Sequence, residues 1–215
     1  VRSPLVVALG AALLAGLLAR AQSELTPVLE DVIYVEVQDR DLVAFDLEGS
    51  GRLVERLEIG ESVLSTAARG RIAVALTNRR VLGASPKSGS WQSERYRVTE
   101  DPSHEVDLSQ GLAIVVTPQR ALAFFPGRWT QESIGPREVV QLTRSGPGAG
   151  VVLTDRRALG VSSRSGGFFE AKLRVGEQVE SVTAVSSLVT ITTSERTLYF
   201  RGATARWAEY RRNLN

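Results

Sequence analysis

The stretch VALTNRRVLGAS, beginning at Val74, returns almost unchanged as VVLTDRRALGVS from Val151. Self-similarity at a fixed period constrains a fold more tightly than composition does, because each copy must be one structural unit stacked on its neighbours. The shared core is Thr-x-x-Arg-x-Leu, at Thr77, Arg80 and Leu82 and again at Thr154, Arg157 and Leu159. VVTPQRALAFF supplies Thr117, Arg120 and Leu122, and ITTSERTLYF supplies Thr193, Arg196 and Leu198. A weaker first copy, VEVQDRDLVAF, has Val37 in the threonine place, followed by Arg40 and Leu42. The five arginines are separated by 40, 40, 37 and 39 residues.

A second landmark keeps step with the first. After each core comes a turn, then a bulky residue shortly before a glutamate: Leu53, Trp91, Trp129, Phe168 and Trp207. Each unit reads as four strands joined by turns. In the second copy SVLSTAA and RIAVALT are strands, Asn78-Arg79 a tight turn, RVLGAS a third strand, PKSG a turn and WQSERYRV a half-exposed outer strand. Helical periodicity of any length is missing after the first 21 residues.

Four strands in about 39 residues, five times over, resembles the β-propeller class of repeats. A single small sheet cannot cover both its faces, but blades stacked around an axis can. The sequence therefore predicts an all-β fold: a five-bladed β-propeller of about 39-residue, four-stranded blades, preceded by a signal-peptide helix. The units run roughly over 24–59, 60–101, 102–136, 137–175 and 176–214. The repeats match neither the WD dipeptide nor the kelch signature. Blade 1 is expected to draw its inner strand from ELTPVLED. A weaker resemblance links LTNRRVLG and LTDRRALG to bacterial pleckstrin-homology-like repeats, which would make ARWAEYRRNL a closing helix.

Residues 1–21 carry the pattern of a secretory signal peptide: basic Arg2, an apolar run from Pro4 to Ala19, and the small-x-small site Ala19-Arg20-Ala21. Cleavage there leaves residues 22–215 as the propeller, in the periplasm or secreted; membrane attachment would require the leader to be retained. Arg2 and Arg20 account for the whole formal charge of +2, so the rest of the chain is neutral. That balance argues against nucleic-acid binding, which needs a basic excess. With no cysteine, the core must hold the fold without disulfides.

The side chains restrict chemistry in the same way. Without cysteine, and with His104 the only histidine, neither a nucleophilic triad nor a zinc site is expected. Glu100, Asp101, Glu105 and Asp107 offer oxygen ligands, but in no spacing that defines a calcium loop. SGPGAGV is followed by a strand rather than the helix a phosphate loop needs. A glycosidase would need two carboxyls about 5–10 Å apart, one with a raised pKa, and Glu61, Glu105, Asp107, Glu138, Glu177 and Glu180 lie on or beside predicted inner strands. The short loops argue against such a pocket.

Two rings follow from the repeat itself. Arg40, Arg80, Arg120, Arg157 and Arg196 would share one face and could bind an anionic group, or pair across each hairpin and hold the blades in register. Trp91, Trp129, Phe168 and Trp207, with Leu53, would lie on the opposite face, wedged between blades or stacking sugars. The sequence thus predicts an exported, non-catalytic, monomeric propeller without cofactor or metal. Its partner is expected to be a protein. Multivalent, lectin-like binding of glycans, including anionic ones, is the alternative, and a small glycosidase stands third.

Overall fold

The computed structural model describes residues 32–101 and 105–212. The leader, the ELTPVLED stretch and His104 lie outside these residues. Nineteen strands are described, and all of their pairings are antiparallel. Each sheet is a meander of consecutive strands, and together they form a five-bladed β-propeller.

Blade 1 comprises β1 (Ile33–Gln38), β2 (Asp41–Asp46) and β3 (Arg52–Arg56). Blade 2 runs through β4 (Val63–Arg69), β5 (Ile72–Thr77), β6 (Arg80–Ala84) and β7 (Gln92–Arg95). Blade 3 has β8 (Glu105–Leu108), β9 (Ala113–Val116), β10 (Arg120–Phe125) and β11 (Arg128–Ser133). In blade 4 they are β12 (Val140–Ser145), β13 (Ala149–Thr154), β14 (Arg157–Ser162) and β15 (Gly167–Lys172). Blade 5 closes the series with β16 (Val179–Val185), β17 (Leu188–Thr193), β18 (Arg196–Arg201) and β19 (Arg206–Arg211). ARWAEYRRNL thus supplies strand β19 rather than the helix of the pleckstrin-like reading.

The burial pattern explains the sequence pattern. The middle strands of blades 2 to 4 are sandwiched between neighbouring sheets, so runs such as IAVALT and RALAFF are buried on both faces. Ile72, Val74 and Val81 of blade 2 pack on Leu122 and Phe124 of blade 3. Leu112, Ile114 and Ala123 of blade 3 pack with Leu159 and Val161 of blade 4. Blade 5 is different: Val189, Ile191, Leu198 and Phe200 are buried against blade 4, while Thr190, Thr192, Thr197 and Tyr199 on its other face are half-buried. Outer strands such as β7 and β19 are largely open to solvent.

Blade 1 corrects the alignment of the repeat by one residue. In blades 2 to 5 the chain leaving the outer strand donates a backbone N–H to the residue just before the repeat arginine: Tyr96 to Arg79, Ile134 to Gln119, Leu173 to Arg156 and Arg212 to Glu195. In blade 1 the matching bond runs from Leu57 to Arg40 itself. Asp41, not Arg40, therefore occupies the arginine place. Leu42 and Ala44 consequently face blade 2, packing with Ala73, Ala75 and Leu82. One-residue slips invert the faces of a strand, so Leu53 also falls in the place of Gln92 rather than that of Trp91.

Candidate functional site

Four of the five repeat arginines build the same assembly. Thr77 folds the β5–β6 turn around its hydroxyl, which accepts the N–H groups of Arg79 (3.1 Å) and Arg80 (2.9 Å) and donates to Glu61 (2.9 Å). Arg80 grips the same carboxylate with Nε (2.8 Å) and Nη2 (3.1 Å), and Glu61 Oε2 also accepts the N–H of Glu58 (2.8 Å). The guanidinium then reaches back to the preceding blade, with Nη1 donating to Glu55 (2.7 Å) and Nη2 to the Arg56 carbonyl (3.4 Å).

Blades 3, 4 and 5 repeat the arrangement with Thr117, Arg120 and Glu100; Thr154, Arg157 and Glu138; and Thr193, Arg196 and Glu177. Their Nη2 atoms donate to the carbonyls of Arg95, Ser133 and Lys172 on the preceding outer strands. Each staple ties a hairpin turn, the loop entering the blade and the neighbouring sheet together. Burial pushes the Glu138 and Glu177 carboxyls up, but the guanidinium, backbone and hydroxyl donors outweigh it and hold both at about 2. Glu61 and Glu100 are lowered by the same balance. Arg40 shares none of this geometry: it is exposed, and its Nη2 donates to the Leu57 carbonyl at 2.7 Å.

The aromatic residues also join blades. Trp91 Nε1 donates to the Leu53 carbonyl (3.1 Å), Trp129 to that of Gln92 (3.0 Å) and Trp207 to that of Phe169 (2.7 Å). Trp91 is buried, while Trp129, Phe168 and Trp207 are half-buried. Trp129 lies against Phe124 and Trp207 against Phe200, with ring centroids 5.0 and 5.1 Å apart. The staples and the wedges sit at opposite ends of the third strands, since each staple arginine opens that strand and each aromatic pairs across its far end.

The acids considered for glycoside cleavage divide accordingly. Glu61, Glu138 and Glu177 belong to staples. Asp107 accepts from the Ser145 hydroxyl (2.5 Å), Glu105 from Thr143 (3.5 Å), and Glu180 meets Arg212 (2.5 Å). Glu100 is likewise held by Arg120, and no group of three metal-ligating side chains gathers among the described residues.

The staples expose something the sequence reading passed over. Each glutamate closes a four-residue turn, donating its N–H to the carbonyl three residues earlier in Glu58–Glu61, Arg97–Glu100, Gly135–Glu138 and Arg174–Glu177. The second residue of each turn is apolar: Ile59, Val98, Pro136 and Val175. Ile59 is 83% exposed, Val98 103% and Val175 104%, and Pro136 is exposed as well. The signal was available, because these residues all stand two places before a glutamate lying 19 or 20 residues before a repeat arginine.

No family model matches the chain, and no curated protein does. Among solved structures it is similar to Prp20p from Saccharomyces cerevisiae, described together with its binding to Gsp1p and histones (10% identity, TM-score 0.43, 79% of this chain and 55% of that one). It is also similar to human WBSCR16 (11%, 0.41, 74% and 55%) and to the WD40 domain of SCAP from fission yeast (11%, 0.36, 86% and 57%). The chain thus spans just over half the length of these structures. None reaches a TM-score of 0.5, so the fold assignment rests on the sheets and their packing.

Proposed function

We propose that this chain is a non-catalytic interaction module whose staple-side face docks a protein partner through the tips Ile59, Val98, Pro136 and Val175. The four tips carry the reading. A lone exposed aliphatic residue is ordinary, but apolar side chains at the same place in four successive blades, on turns fixed at both ends, contribute almost nothing to folding. Their repetition makes a regular apolar array. Arg97, Arg137 and Arg174 adjoin three of the tips and give them the polar surround usual at protein interfaces. The commitment of Glu61, Glu138 and Glu177 to arginine supports the non-catalytic part, since a general acid needs its pKa raised rather than lowered. The leader pattern in residues 1–21 supports a setting outside the cytoplasm.

Photo-crosslinking from residue 98, with residue 87 on the opposite face as control, tests the docking. A discrete crosslinked protein is expected from residue 98 and not from 87. It should vanish in Ile59→Ser/Val98→Ser/Val175→Ser probed from residue 137, with the melting temperature unchanged. Crosslinks of equal yield from both faces, or ones that survive the serine variant, would sink the reading.

A further inference from the structure

Arg201 and Arg206 stand directly opposite each other in the β18–β19 register. Like charges at such a pair are destabilising, yet both are exposed, and among the described residues neither guanidinium meets a carboxylate. An open cleft of about 610 Å³ lies beside them, bounded also by Thr204, Trp207 and Ala208. We propose that this cleft binds an acidic sugar chain.

The chemistry of the lining selects that class. Two guanidinium forks suit a carboxylate or sulfate, and the Thr204 hydroxyl can serve a sugar hydroxyl. The indole of Trp207 supplies the apolar plane on which a pyranose ring stacks. Its N–H is already bound to the Phe169 carbonyl, so the ring is fixed before any ligand arrives, which lowers the ordering cost of binding. An acidic peptide would use the charges but not the indole.

The neighbouring outer hairpins extend the site along one edge. Arg164 of blade 4, Arg128 of blade 3, Lys87 of blade 2 and Arg52 of blade 1 are all exposed at the equivalent turns, and among the described residues none has a carboxylate partner. Arg128 lies over the Phe125 ring, 4.9 Å from its centroid. At least one cation on every blade suits a polymer whose negative charge also recurs. This edge is the end of the strands remote from the apolar tips, so the inference stands apart from the docking reading.

Isothermal titration of the full chain tests it with oligogalacturonate, a heparin-derived octasaccharide, neutral maltohexaose and hexaglutamate, each at low and physiological salt. At least one anionic sugar is expected to bind, more weakly as salt rises, while maltohexaose does not. The two anionic sugars separate carboxylate from sulfate preference. Arg201→Ser/Arg206→Ser should lose about tenfold or more in affinity while its melting temperature holds or rises, because a like-charge pair is removed. Failure of both anionic sugars, hexaglutamate binding as tightly as they do, or unchanged affinity in the double variant would each overturn the proposal.

Discussion

The ring of Phe124 on blade 3 occupies the space a side chain at Gly83 on blade 2 would need: a Cβ there would stand 2.6 Å from the ring. Phe200 and Gly160 repeat the relationship between blades 5 and 4, again at 2.6 Å. The glycine of each VLGAS-like phrase is therefore a socket for the next blade's phenylalanine, which is why the two best copies of the repeat lie two blades apart. Gly83→Ala should cost about 1–3 kcal/mol through overpacking, read by urea unfolding. Phe124→Leu in that background should recover part of the loss, and a Gly83→Ala melt matching wild type would contradict the socket.

Breaking one staple has a separate expected cost. Glu100 and Arg120 are the most enclosed pair, with side chains 0% and 3% exposed. Glu100→Gln keeps the shape but leaves the buried guanidinium only the half-buried Glu94, 3.9 Å away, as a counter-charge, a loss of about 3 kcal/mol. Chemical denaturation of the variant measures it, and a loss below 1 kcal/mol would show that the charge is solvated in some other way.

Acid should loosen the array in a defined window. The folded pKa values of Glu138 and Glu177 are about 2, against an ordinary value of 4.5. Their contribution is complete above the unfolded value and disappears as pH falls through the folded one. The melting temperature should therefore be flat from neutral pH to about 5, then fall steadily towards pH 2. In Glu138→Gln/Glu177→Gln the fall should be shallower, since two of the titrating groups are gone.

The register shift of blade 1 separates two arginines that look alike in sequence. Arg80 is buried in a staple, so Arg80→Ala strands Glu61 and should cost about 3–5 kcal/mol. Arg40 lies at an exposed turn and holds one carbonyl at 2.7 Å, so Arg40→Ala should cost about 1 kcal/mol or less. Parallel thermal melts decide the matter, and equal losses would restore Arg40 to the ring.

The fold was legible because a blade writes its needs into short phrases: a threonine to close a turn, an apolar run to fill two interfaces, an aromatic to wedge the outer strand. The opposite placement of the two rings followed from strand length alone. Blade 1 is deceptive because DRDL imitates the Arg-x-Leu spacing one residue early, while the backbone turn that sets its register leaves no mark on residue types. The partners of the arginines stayed hidden for another reason. Glu61, Glu138 and Glu177 look like candidate catalytic acids in the sequence, since a carboxylate beside an inner strand has the same signature whether it meets a guanidinium or a substrate. The apolar tips Ile59, Val98, Pro136 and Val175 are legible only once the glutamates are aligned with the repeat arginines, since an isolated apolar residue in a loop carries no pattern of its own.

The staple arginines and the indoles point one way, while hydrogen bonds at the strand ends remote from the staples, such as Ser109 to the Gly146 carbonyl and Ser162 to the Gly202 carbonyl, run forward. From blade 2 onward, each staple arginine and each indole N–H binds a carbonyl on the sheet made before it. A blade thus arrives with the groups that lock it to its predecessor, while the socket glycines of blades 2 and 4 and the forward donors wait for the one still to come. As the chain is synthesised from its N-terminus, every finished sheet is already a template for the next, and assembly can keep pace with translation.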